Sequence, residues 1–105
     1  MDQTTINIII QFLESCLIEE GLHNISIAVF GSALTNTMGT DSDIDLIVIS
    51  PDFEGQNIQA RGKMTMVSEL KTLRKFMIPM DVLNLTPDEY HSMVKRNMFP
   101  SKVIA

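Results

Sequence analysis

The 105-residue chain reads as a two-layer α/β domain, with helices packed on one sheet, and three observations predict it. Apolar residues recur at helical spacing in two long segments. Three short runs, at residues 25–30, 43–50 and 79–85, are rich enough in apolar and β-branched residues to be strands. The resulting order, helix-strand-turn-strand-helix-strand-helix, suits a single sheet covered by helices.

Taken in order, Ile6, Ile9, Ile10, Leu13, Cys16 and Leu17 share one helical stripe, so residues 4–20 are expected to form an amphipathic helix. Thr4 or Thr5 can cap its start and Gly21 can stop it. Residues 25–30 form the first strand. Residues 32–36 are expected to make a helical turn whose first amides point above Gly31. Residues 38–42 read as a loop, and the second strand runs over 43–50 until Pro51 ends it. A polar connection leads to a long helix over 58–77, with Ile58, Met64, Val67, Leu70, Leu73 and Met77 on one stripe. Gly62 weakens its first turn. Residues 79–85 form the third strand. Thr86-Pro87-Asp88-Glu89 then combines a cap, a proline at the first helical position and acids in the first turn, opening a last helix to about residue 97. No repeat or internal linker interrupts the chain, which is expected to be one domain over 1–105.

Chemistry concentrates in three acids. Asp43 and Asp45 stand at i and i+2 at the start of a strand and so point to the same face. A neighbouring third strand can bring Asp81 onto that face. Two carboxylates about 4 Å apart repel by roughly 4 kcal/mol at an effective dielectric near 20. Three of them raise one another's pKa unless cations offset the charge, so the pattern points to a divalent metal site. Turn, cap or strand-edge roles explain each aspartate singly, but not all three in register. Asp41, after Gly39-Thr40, reads as solvated loop.

Val29-Phe30-Gly31-Ser32, Ser42-Asp43-Ile44-Asp45-Leu46 and Met80-Asp81-Val82 together resemble the pattern of the nucleotidyltransferase superfamily that includes DNA polymerase beta and the minimal bacterial nucleotidyltransferases. The resemblance covers residues 25–85 and implies a mixed sheet with the active face on its open side. It implies that Asp43 and Asp45 bridge two Mg²⁺ ions (Mn²⁺ being an alternative). Asp81 would bind the second ion and take the acceptor's proton. It also implies that Gly31 and Ser32 hold the phosphates of an NTP, ATP being the expected one. Gly31 has a second role as a tight turn, and Ser32 could simply cap the short helix. The implied reaction moves an NMP onto a hydroxyl acceptor, in small relatives often on a separate helical partner protein of a toxin–antitoxin pair. The alternative is an antitoxin-type binding module with little or no turnover. A homomeric aminoglycoside-type transferase is disfavoured, because no second domain is present to hold the drug. Where small relatives carry an arginine after Gly-Ser, this chain has Ala33-Leu34-Thr35-Asn36, so a replacement cation is expected from Arg61, Lys63 or a partner chain.

Composition narrows the classes. With 45% hydrophobic and 20% charged residues the chain matches an ordinary globular protein. The net charge of −5 and the lack of a basic stripe argue against direct nucleic-acid binding. Every Lys and Arg lies after residue 60, where Arg61, Lys63, Lys71, Arg74 and Lys75 read as a solvated helix face or as neutralisers of a triphosphate. No stretch approaches the roughly 20 apolar residues that span a bilayer, and no leader is apparent. One cysteine, Cys16, allows no internal disulfide and reads as a small buried hydrophobe. A cytoplasmic setting is expected. His23 and His91 read as surface or capping residues, and Tyr90 as a packed ring with a wet hydroxyl. The apolar tail (Met98, Phe99, Val103, Ile104) and eight methionines suit an adaptable interface, with a partner or in a homo-oligomer, while the methionines serve equally as core filler.

Overall fold

Helix α1 (Gln3–Glu19) carries the expected stripe inward: Ile6, Ile9, Ile10, Leu13, Cys16 and Leu17 are all buried. Its cap is Asp2, whose side chain accepts from the Thr5 amide at 2.8 Å, so both candidate threonines fall inside the helix. Gly21 turns the chain away at φ +97°, a conformation costly for any residue with a Cβ. The computed structural model describes residues 2–31, 43–96 and 100–105; the expected turn at 32–36 and loop at 38–42 lie outside these.

Strand β1 (Ser26–Phe30) pairs antiparallel with β2 (Ile44–Ile49). A 3₁₀ turn (Pro51–Phe53) and helix α2 (Ile58–Phe76) lead to β3 (Met80–Leu85), which lies parallel to β2. Helix α3 (Pro87–Lys95) follows, opened by Thr86 with both halves of a capping box. The last element, β4 (Ser101–Val103), pairs antiparallel with β1. The sheet order β3-β2-β1-β4 makes it the mixed sheet that the resemblance implied.

Strand alternation divides the sheet's residues between two faces. Ile27, Val29, Ile44, Leu46 and Val48 meet α1 in the main core, with Phe53 filling it from the 3₁₀ turn and Met64, Phe76, Met80 and Val82 packed alongside. On the opposite face Ala28, Ile47 and Ile49 lie under Met93 of α3, with Leu85 and Tyr90 beside them. Helices therefore sit on both faces, α1 and α2 on one and α3 on the other. The Tyr90 hydroxyl, expected to be wet, meets Ser101 Oγ at 2.7 Å. Among the described residues no helix is long and apolar enough to cross a membrane.

Two expectations need correction. Of the α2 stripe, Met64 alone packs against the core: Ile58 is 88% and Met77 77% exposed, and Val67, Leu70 and Leu73 are also exposed. The buried residues are Thr65, Ser68 and Thr72, small enough to let the helix approach the sheet. The tail is also more than an apolar interface segment. It contributes β4, and Ile104 packs on the core, although Met98 and Phe99 lie outside the described residues.

Arg61 ties the two ends of the crossover together. Its guanidinium donates to Glu89 Oε1 at 2.6 Å and to the Asn84 carbonyl at 3.0 Å. That contact, followed by the Thr86 amide, holds the Glu89 carboxyl below its ordinary 4.5. A carboxylate with a lowered folded pKa stabilises above its unfolded pKa, and the contribution fades as pH falls through the folded value. Denaturation measured from pH 6 to pH 3 should therefore show an acid-limb loss of no more than about 1 kcal/mol for this partly exposed pair. Glu89→Gln should flatten that part of the limb.

Candidate functional site

Two of the three acids pair across neighbouring strands. Asp45 in β2 is the register partner of Asp81 in β3. Paired residues on neighbouring strands project to the same face at a spacing of about 4.8 Å. Asp43 precedes β2 by one residue and keeps its phase. Asp81 and Asp43 are exposed, and Asp45 is half-buried. Burial raises the Asp45 carboxyl above its ordinary range, and the charges of Asp81 and then Asp43 add to the shift. Its ionised form is therefore held at a cost.

Gly31 closes the arrangement from β1. It adopts φ +64°, and a Cβ built there would stand 2.5 Å from Asp45 Oδ2. The glycine is needed both for its backbone conformation and for the space its missing side chain leaves over the carboxylate. Ser32, expected to join it, lies outside the described residues.

The donor set suits a hard cation. All three groups offer oxygen, no Lys, Arg or His among the described residues forms an ion pair with them, and Mg²⁺ prefers one or two carboxylates while retaining waters. The carboxylates share a face without converging: among the described residues no three acidic, His or Cys side chains are grouped closely enough to hold an ion together. The described grooves lie elsewhere, flanking β3 and α3.

Arg61 does not supply the cation missing after Gly31-Ser32. It is bound to Gln56, Asn84 and Glu89 and lies near the far end of β3, about three residues or roughly 10 Å along the strand from Asp81. Lys63 is exposed on α2, which packs on the face opposite the acids. His23 is also accounted for, its amide donating to Asp52 Oδ2 at 2.7 Å. Glu69 escaped the sequence reading. Burial raises its carboxyl, which accepts from Thr65 Oγ1 at 2.5 Å. Its signal was an acid one turn from Thr65 on the inner side of a helix.

The sequence profile described as "Nucleotidyltransferase domain" matches residues 9–104. No curated protein gives a significant match. Three solved structures resemble the fold. A candidate nucleotidyltransferase from Sulfolobus solfataricus is 19% identical, with a TM-score of 0.53 over 88% of this chain and 82% of its own. A second candidate nucleotidyltransferase is 21% identical, with a TM-score of 0.55 over 90% of this chain and 95% of its own. The third, a toxin-antitoxin with AMP-PNP, is 18% identical, with a TM-score of 0.55 over 89% of this chain and 70% of that one. At these identities the structural likenesses speak for the fold alone.

Gly31→Ala tests the closure over Asp45. The left-handed backbone costs about 1–2 kcal/mol for a residue with a Cβ, and the carboxylate must also move. Chemical denaturation should show a loss of at least that size. Gly55→Ala, also at positive φ but with nothing within 4 Å of its Cβ, should show the backbone cost alone. Equal losses at both positions would remove the contact with Asp45 from the account.

Proposed function

This chain belongs to the nucleotidyltransferase domain family, and we propose that it transfers a nucleoside monophosphate from an NTP, ATP being the expected one, to a hydroxyl acceptor. The observation that carries this reading is the in-register pairing of Asp45 with Asp81 beneath Gly31. Asp43 and Asp45 would hold two Mg²⁺ ions, with Asp81 on the second. Such ions, when bound, stabilise the attacking and leaving oxygens of an in-line displacement. Gly31 leaves room for phosphate oxygens, and the Ser32 hydroxyl with its neighbouring amides would hold the terminal phosphates. Asp81, exposed to an incoming acceptor, would take the proton of the acceptor hydroxyl as its oxygen bonds to the α-phosphorus and pyrophosphate departs. The toxin-antitoxin neighbour with AMP-PNP supports a partner protein and an adenine nucleotide, and the motif resemblance makes a helical partner the expected acceptor.

A specific observation favours a second reading, an antitoxin-type module that binds its partner with little turnover. The segment after Gly31-Ser32 brings no cation, and Arg61 is committed to Asn84 and Glu89. Triphosphate binding would then depend on a cation from the partner.

Metal binding is the first test. Mg²⁺ or Mn²⁺ should raise Tm in the wild type by binding the native state alone. Asp43→Asn with Asp45→Asn should remove that response while raising the metal-free Tm, because the repulsion is gone. An identical metal-induced shift in wild type and double variant would refute the ligand assignment.

Turnover is the second test. With labelled ATP, Mg²⁺ and a helical partner, the wild type should leave a covalent nucleotide on the partner, and Asp81→Asn should not. Tight binding of a partner that stays unmodified with ATP, GTP, CTP and UTP would establish the binding-module reading instead.

A further inference from the structure

We propose that the open edge of β3 and the apolar flank of α2 join a second copy of this chain, the two sheets continuing into one across a two-fold axis at Val82. β3 ends the sheet. Ile44 N donates to the Pro79 carbonyl and Ser50 N to the Leu85 carbonyl, both at 3.0 Å. Because bonding direction alternates along a strand, the odd-numbered residues of β3 bond toward β2. The backbone groups of Met80, Val82 and Asn84 therefore point outward. Among the described residues, one of these groups has a partner in the structure: the Asn84 carbonyl, which accepts from Arg61. A carbonyl has a second lone pair, so it can still receive another donor.

These outward groups are self-complementary. In an antiparallel pairing centred on Val82, that residue faces its own copy and Met80 faces Asn84, so the outward groups find donors and acceptors. Asp81 then faces Leu83, which keeps like charges from standing directly opposite. Exposed edges are usually blunted by lysine, proline or a bulge. From Met80 to Leu85 the sequence has no lysine or proline.

The helix beside the edge supplies the apolar part. Ile58, Met66, Leu70 and Leu73 form an exposed row along α2, continued by Met77 just past its end, and the four helical residues wall a groove of about 400 Å³ against Met80, Val82 and Leu83. Gly62 lies in that row, and a Cβ there would meet nothing within 4 Å, leaving a depression for a side chain of the other copy. A two-fold axis through β3 would bring the two α2 rows together in antiparallel fashion. With Leu83, also exposed, the row supplies the apolar centre that a stable interface of about 800 Å² per partner needs, and the paired strand edges supply its polar part. The groove's own charges are occupied: Glu69 accepts from Thr65 and Arg61 holds Glu89.

Sedimentation of the intact chain at about 100 µM, well above a micromolar Kd, should give twice the 11.8 kDa protomer mass. Met66→Glu with Leu70→Glu, both on the exposed row, should give the protomer mass with an unchanged circular dichroism spectrum. Ile8→Glu, at an exposed apolar site on α1, should stay dimeric. If the double variant fails to fold, amide exchange in the wild type decides. The Val82 amide should exchange at least tenfold more slowly at high than at low protein concentration. A wild type that sediments as a protomer, a double variant that stays dimeric, dissociation by Ile8→Glu, or a concentration-independent Val82 amide would each overturn the proposal. So would association only with a different protein.

Discussion

The parallel pairing of β2 with β3 is the constraint on which the acidic face depends. Helix α2 returns the chain so that Ile44 aligns with Met80 and each later residue with its counterpart. Side chains alternate between faces, so a slip of one residue would send Asp81 toward the core and Val82 toward solvent. Burying a carboxylate without a partner costs several kcal/mol, whereas Met80 and Val82 pack against the core in the observed register. The apolar residues of β3 thus decide where its aspartate points, and the site inherits its alignment from packing on the other side of the sheet.

That link explains why this part of the molecule was legible in the sequence. The α1 stripe, the two aspartates at strand spacing and the Thr86 start signal are local patterns, and each appears where expected. The rotation of α2 was not legible. Its apolar row and its row of Thr65, Ser68 and Thr72 both repeat at helical spacing, and hydrophobicity favours the wrong one. Close approach to the sheet selects the smaller residues, a tertiary demand that overrides the hydrophobic pattern. The engagement of Arg61 with Glu89 depends on two elements meeting after 28 residues. β4, at three residues, is too short for periodicity to register. Ser32 and the segment after it lie outside the described residues.

The inner face of α2 also affects stability. Its buried hydroxyls must be matched with acceptors, and two buried polar atoms, Ser68 Oγ and Asn84 Oδ1, have no hydrogen-bond partner among the described residues. An unmade buried hydrogen bond costs about 1–3 kcal/mol. A 19-residue helix that buries small polar groups and leaves its large apolar side chains outside adds less to an isolated protomer than its length implies. α1, with six buried apolar or cysteine residues, carries more of the core.

The β1–β4 pairing has a consequence for the order of assembly. Phe30 pairs with Ser101, residues about seventy positions apart, while β2, α2 and β3 form a contiguous unit whose contacts close much shorter loops. Contacts between distant residues carry the larger loop-closure entropy and tend to form late. β1 ends at Phe30, one residue before Gly31, and Phe30 also pairs with Asp45, only 15 positions away (45 − 30), against 36 (81 − 45) for Asp45 and Asp81. A growing or partly folded polypeptide can therefore have Gly31 set over Asp45 before Asp81 is aligned with it. The acidic face is then complete when β3 docks, and the distant β4 closes the other edge of the sheet afterwards.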